Sequence, residues 1–260
     1  MQSDLSGTVS LVTGSARGIG LSIADRLARN GSTVVYSDVD EAQLAATVAE
    51  RDGAVSHQLD VSNGEQVQDV LAQIVQQHGS LDIVVNNAGV NTLAHRVTID
   101  EFPRSEWDRI MNVDLHGLFQ VSQTAAVQMR RQGSGRIINI ASIAGLVPLR
   151  LQCAFVAAKA AVINLTKAMA LELGPAGILV NGVAPGSTLT AGTEKLFYGD
   201  DGKFSARVQE MINHVPLGRP ATTDEIAVAV QFLADPENAY TNGHVITVDG
   251  GWTAGYHRDF

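Results

Sequence analysis

A chain of 260 residues, 45% of them hydrophobic, can bury a full core, and its length allows one large domain or two small ones. The formal net charge of −9, with no basic run longer than Arg130-Arg131, argues against a nucleic-acid partner. A single cysteine, Cys153, rules out an internal disulfide. The opening MQSDLSGTVSLV lacks a leader pattern, and no apolar run reaches the roughly 18 residues of a membrane span. A cytoplasmic protein with no membrane partner is expected.

In chain order, short apolar runs alternate with longer amphipathic ones. Strands are predicted at Val9–Thr13, Thr33–Ser37, Ala54–Leu59, Ile83–Asn86, Arg136–Ala141, Leu179–Ala184 and His244–Val248. Helices are predicted at Gly18–Asn30, Glu41–Arg51, Gly64–His78, Glu106–Arg131, Gln152–Leu173 and Asp224–Ala234. The strands are apolar on both faces, as in a parallel sheet covered by helices on each side. The alternation predicts an α/β fold: one doubly wound domain over residues 1–260, with about seven parallel strands. Pro185–Pro220 has no clear periodicity and is too long for an ordinary connection. A lid over residues 186–220 is expected there.

After the first strand comes T13-G-S-A-R-G-I-G20. Glycines at 14, 18 and 20 let the chain turn tightly and let a pyrophosphate approach the N–H groups opening the helix. Asp38 ends the second strand, where a carboxylate accepts hydrogen bonds from ribose hydroxyls and repels a 2′-phosphate. Arg17 pulls the other way, because a guanidinium attracts that phosphate. The balance favours NAD over NADP.

TGSARGIG, then L59-D-V61, N86-N-A-G89, Asn112 in MNVDLHG, Ser142 in INIASIAG, Lys159, and P185-G186 resemble the short-chain dehydrogenase/reductase family. The match runs from about Thr8 to Gly251. The resemblance implies a Rossmann-type dinucleotide fold and a homotetramer. It places the cofactor against Gly14, Arg17, Gly18, Ile19, Gly20, Asp38, Asp60, Val61, Asn87, Ala88, Gly89, Lys159, Pro185, Gly186 and Thr188. No metal is expected.

The family's catalytic set is Asn, Ser, Tyr and Lys. Asn112, Ser142 and Lys159 supply three of these, but Phe155 stands at the tyrosine of Tyr-x-x-x-Lys. Residues four apart share a helix face, so an ammonium at 159 lies close to the ring at 155. A tyrosine there acts as base only if its pKa falls from about 10, which a nearby positive charge favours. Phenylalanine keeps the ring and loses the proton-carrying atom. Turnover is expected to be at least roughly 10³-fold below that of the tyrosine form. One account is a substitution that holds substrate without reaction. The other is a natural loss, leaving a dinucleotide-binding sensor or scaffold. The otherwise intact set favours the first.

Substrate contacts are expected from A144–Q152 and S187–H214, with Ser142, Arg150, Gln152, His95, His214 and Tyr198 as candidates. A guanidinium at Arg150 suits a substrate carboxylate. His95, Arg96 and Arg104 make the rim polar, and Arg258 and Phe260 in the tail are candidates for a subunit interface. Together these suggest oxidation of a secondary alcohol in a small polyhydroxylated molecule: a sugar acid such as a 2-keto-3-deoxy sugar acid, or a sugar or polyol. The closest rival is a 3-oxoacyl-thioester reductase, against which Asp38 and the acidic balance argue.

Overall fold

The computed structural model describes residues 3–92, 95–190, 204 and 206–255. Seven strands form one parallel sheet: β1 (Val9–Thr13), β2 (Thr33–Asp38), β3 (Val55–Gln58), β4 (Ile83–Asn86), β5 (Gly135–Ile140), β6 (Ile178–Pro185) and β9 (Val245–Val248). Their spatial order is β3-β2-β1-β4-β5-β6-β9. The winding reverses between β1 and β4, so a crevice opens beyond the carboxyl ends of those two strands.

Helices cover both faces. On one side α1 (Gly18–Arg29) and α8 (Thr223–Ala234) bury Ile23, Leu27, Ile226 and Val230 against Val12, Val85 and Ile138. On the other, α3 (Gly64–His78), α5 (Leu118–Gln132) and α6 (Cys153–Leu173) bury Val67, Ile74, Val121, Met129 and Val162 against Leu11, Val84 and Ile137. Each such side chain contributes about 1.5–3 kcal/mol by leaving water. The Cys153–Ala176 stretch is apolar and long enough to cross a membrane. Here it packs along β6 as a core helix. Helix α2 (Glu41–Ala49) is short, with Asp40 capping it by accepting from Gln43 N–H.

The predicted strands and helices agree with the structure to within a residue or two, with one exception. The expected single helix Glu106–Arg131 is three pieces: α4 (Arg104–Met111), a π-helical turn over Asn112–Gly117, and α5. A π turn inserts one residue per turn, so side chains beyond it change face.

The expected lid leaves the sheet after β6 and forms β7 (Thr188–Leu189). It returns through α7 (Ala206–Ile212) to β8 (Ala221–Thr222), which pairs with β7 in parallel. Residues 191–203 and 205 of this segment lie outside the described residues, as do Tyr198, Arg258 and Phe260.

The chain re-enters the fold through a capping box: Thr222 Oγ1 accepts from Glu225 N–H while Glu225 accepts from Thr222 N–H. Hydrogen bonds from the Arg219 guanidinium, then from the Thr222 backbone, bring the Glu225 carboxyl down from 4.5 to about 2. The folded-state value is depressed, so this anchor is at full strength above 4.5 and is lost as pH falls toward 2. Amide exchange at the start of α8 is expected to accelerate over that interval. Glu225→Gln should flatten the pH dependence.

Candidate active site

The Thr13–Gly20 turn leaves the carboxyl end of β1 with Gly14 and Gly18 at φ +64° and +61°, values L side chains rarely adopt. A Cβ on Gly14 would stand 2.8 Å from Ala88 Cα, and one on Gly20 would collide with the Gly14 carbonyl. Asn87 locks this approach, donating from Nδ2 to the Thr13 and Gly14 carbonyls at 2.9 Å each. Thr13 Oγ1 accepts from the Asn87 and Ala88 N–H groups at 3.0 Å. No side chain caps α1, in contrast to α3 and α8, so its opening N–H groups face the crevice unpaired by any cap. A close backbone approach and open helix donors fit a pyrophosphate. A recess of about 380 Å³ opens beside this turn, lined in part by Gly18, Ser22, Thr190 and Thr223.

Asp38 sits at the end of β2, with Oδ2 accepting from Ala16 N–H at 3.2 Å and Oδ1 from Asp40 N–H at 3.1 Å. Its carboxylate is therefore fixed against the glycine turn. Arg17 is exposed and makes no side-chain hydrogen bond among the described residues. Asp60 is committed locally, accepting from Ser62 N–H and Oγ. Val61 is buried against Gly117, where a side chain would overlap it. Pro185 closes β6, Gly186 N–H donates to the Val248 carbonyl, and Thr188 Oγ1 donates to the Gly186 carbonyl. Below the turn, Asn86 donates to Ser122 Oγ and Asn139 Oδ1, which ties β4 to α5 and β5.

Lys159 lies on α6 with only 5% of its surface exposed. Its ammonium donates to the Ile140 carbonyl at 3.2 Å and stands 5.6 Å from the centre of the Phe155 ring. The expected neighbourhood of 155 and 159 is thus present. Ser142 caps the short turn Ile143–Gly145, its Oγ accepting from Ala144 N–H at 3.1 Å. That turn packs on α6 so closely that a Cβ on Gly145 would stand 2.6 Å from the Lys159 backbone. Accepting leaves the Ser142 hydroxyl proton available to a further oxygen.

The Asn112 side chain makes no hydrogen bond among the described residues, and Asp114 is the side chain of this segment that meets Lys159 directly. Asp114 is fully buried, with Oδ2 3.1 Å from the ammonium and Oδ1 accepting from Val90 N–H at 2.8 Å. The π turn explains this: a regular helix reading cannot say which residue of Asn112–Gly117 faces α6. Gly89 roofs the pair, and a Cβ there would stand 3.2 Å from Asp114 Oδ2 and 3.4 Å from Lys159 Nζ. Sequence reasoning missed Asp114. The available signal was a carboxylate within MNVDLHG, a stretch already assigned to the site.

Phe155 is half-buried and packs against a small apolar cluster of Ile110, Ala154 and Ala158, to which Val90, Phe102, Trp107 and Met111 also add. Gln152 is buried at the start of α6. Between it and exposed Arg150, Leu151 adopts φ +64°, the sole positive value at a non-glycine among the described residues. Such a conformation costs about 1–2 kcal/mol at a leucine. Arg150 makes no hydrogen bond or ion pair among the described residues. His95 is exposed beside Glu106, whose carboxyl is lowered first by its bond from Arg109. His214 is exposed in the turn after α7, with its ring on the Glu210 carbonyl of that helix. None of these three shares a hydrogen bond or ion pair with Ser142 or Lys159 among the described residues.

A parallel sheet that reverses beside a glycine-rich turn, with a buried lysine near the neighbouring strand ends, is the frame of a dinucleotide-linked oxidoreductase. The family model described as enoyl-(acyl carrier protein) reductase matches residues 14–253. The chain belongs to the short-chain dehydrogenase/reductase family, whose members bind NAD or NADP. It is 38% identical to the 2-dehydro-3-deoxy-D-gluconate 5-dehydrogenase of Bacillus subtilis, over 95% of each chain. It is 37% identical to the 3-oxoacyl-[acyl-carrier-protein] reductase FabG of Thermotoga maritima, over 95% of this chain and 98% of that one. Among solved structures it resembles gox2181, with a TM-score of 0.90 and 32% identity over 97% of this chain and 98% of the other. Levodione reductase gives a TM-score of 0.87 at 31% identity, over 96% and 99%.

Proposed function

We propose that the protein is an NAD-linked dehydrogenase for a secondary alcohol of a small polyhydroxylated substrate, first a sugar acid of the 2-keto-3-deoxy type, then a sugar or polyol. Its turnover is held low by Phe155. The observation that carries this reading is the buried Lys159 ammonium beside the Ser142 turn, at the crevice onto which the glycine turn also opens. When bound, the nicotinamide supplies the hydride chemistry. Ser142 donates to the substrate oxygen. Lys159 sets the charge around that oxygen, and Phe155 closes the site without taking the proton. Arg150 is placed to hold a carboxylate at the rim, with Gln152, His95, His214 and Tyr198 as further substrate contacts. The 186–220 segment serves as the lid.

The 2-dehydro-3-deoxy-D-gluconate dehydrogenase relative supports the sugar-acid reading. The thioester-reductase reading has a relative of nearly equal identity, so identity does not separate the two. Asp38 and the net charge of −9 favour the first, since an acidic carrier protein would be repelled. A homotetramer with no membrane or nucleic-acid partner completes the proposal. Phe119 and Val127 on α5 and Leu171 on α6 are exposed apolar side chains that such an assembly would cover.

The test is nicotinamide absorbance for Phe155→Tyr across sugar acids, polyols and β-hydroxy thioesters. A rate on one class identifies the substrate, and no rate on any class with NAD still bound favours a sensor. In binding titrations, Asp38→Ser is expected to cut the NAD-over-NADP preference by about tenfold or more, roughly 1.4 kcal/mol. Arg17→Ala should leave NAD affinity within about twofold.

A further inference from the structure

Lys159 is buried and already has a permanent counter-charge. The pair is a built feature: Asp114 is held by Val90 N–H, Lys159 by the Ile140 carbonyl, and Gly89 leaves the space both occupy. No other carboxylate forms an ion pair with Lys159 among the described residues. The phenol that the family places at 155 would stand beside this same ammonium, and Asp114, two residues beyond Asn112 in the π turn, is the carboxylate that meets it. We infer that Asp114 is a positioning residue that takes the counter-charge role at Lys159 left open by Phe155, so that Asp114 and Phe155 act as one coupled arrangement around the ammonium. The functional meaning of this inference rests on the dehydrogenase reading; the charge pairing itself does not.

The consequence follows from electrostatics. A lone ammonium lowers the pKa of a neighbouring phenol, and a carboxylate bound to that ammonium cancels much of the effect. A tyrosine restored at 155 therefore meets a neutral pair rather than a cation. The other charged groups near this position are few. From α4, Arg109 is tied to Glu106 at 2.8 Å and to the Asn91 carbonyl, and it feels Asp114. His95 lies beside Glu106. The Ser142–Gly145 turn and β6 carry no titratable side chain.

The experiment titrates the ultraviolet phenolate absorbance of Phe155→Tyr and of Phe155→Tyr/Asp114→Asn, with the unsubstituted chain subtracted to remove the four native tyrosines. The new phenol is expected to ionise at or above the ordinary value of about 10 in the single variant. In the double variant its midpoint should fall by at least about one pH unit, a tenfold change in ionisation. Equal midpoints would overturn the inference. The single variant is also decisive by itself, should Asp114→Asn not fold: a midpoint well below 10 would show Lys159 unneutralised. NADH fluorescence is followed in parallel. Loss of dinucleotide binding sinks the dehydrogenase reading and leaves the phenol titration interpretable.

Discussion

Phe155→Tyr is expected to raise alcohol oxidation by roughly 10²–10⁴-fold when assayed at alkaline pH, the range a positioned acid–base group supplies. The ring already packs against the Ile110, Ala154 and Ala158 cluster, so the substitution adds one oxygen and keeps the ring. That oxygen joins a ring whose centre stands 5.6 Å from an ammonium. At neutral pH the gain should be smaller by about tenfold, because the phenol is poorly ionised beside a neutral pair. Adding Asp114→Asn is expected to recover that factor. The pH profile of kcat/KM checks this: the midpoint of its rising limb should drop in the double variant. A single variant already at full rate near neutrality would contradict it.

Asp114→Ala is expected to destabilise the protein by about 3–5 kcal/mol, measured by urea unfolding. The loss has two parts. Lys159 is left as a buried cation without a counter-ion, and Val90 N–H loses its acceptor. Asp114→Asn keeps the second bond and should cost less. Replacing both partners by apolar residues, Asp114→Leu with Lys159→Met, should cost less than Asp114→Ala alone, because no charge remains to desolvate. The pair therefore marks function rather than stability.

Most of the frame was legible in the sequence because each element's signal was local. Apolar runs such as Ile83–Asn86 and the glycine turn after Thr13 appear where patterning and turn chemistry place them. Lys159 and Phe155 were legible as neighbours because a regular helix joins them. Asp114 was not, because a π turn lies between α4 and α5 and its phase is set by packing rather than by periodicity. The β7–β8 pair was invisible for another reason: two-residue strands carry no alternation, and their partners are 33 residues apart (221 − 188).

The π turn has a wider effect on how the molecule is partitioned. Helix α4 gives Ile110 to the small aromatic assembly around Phe155, while α5 gives Val121, Ala125 and Met129 to the large interior under the sheet. One rod with a slip in its phase therefore serves two separate interiors. Selection can recut the small cluster beside Phe155 while the packing beneath the strands stays as it was.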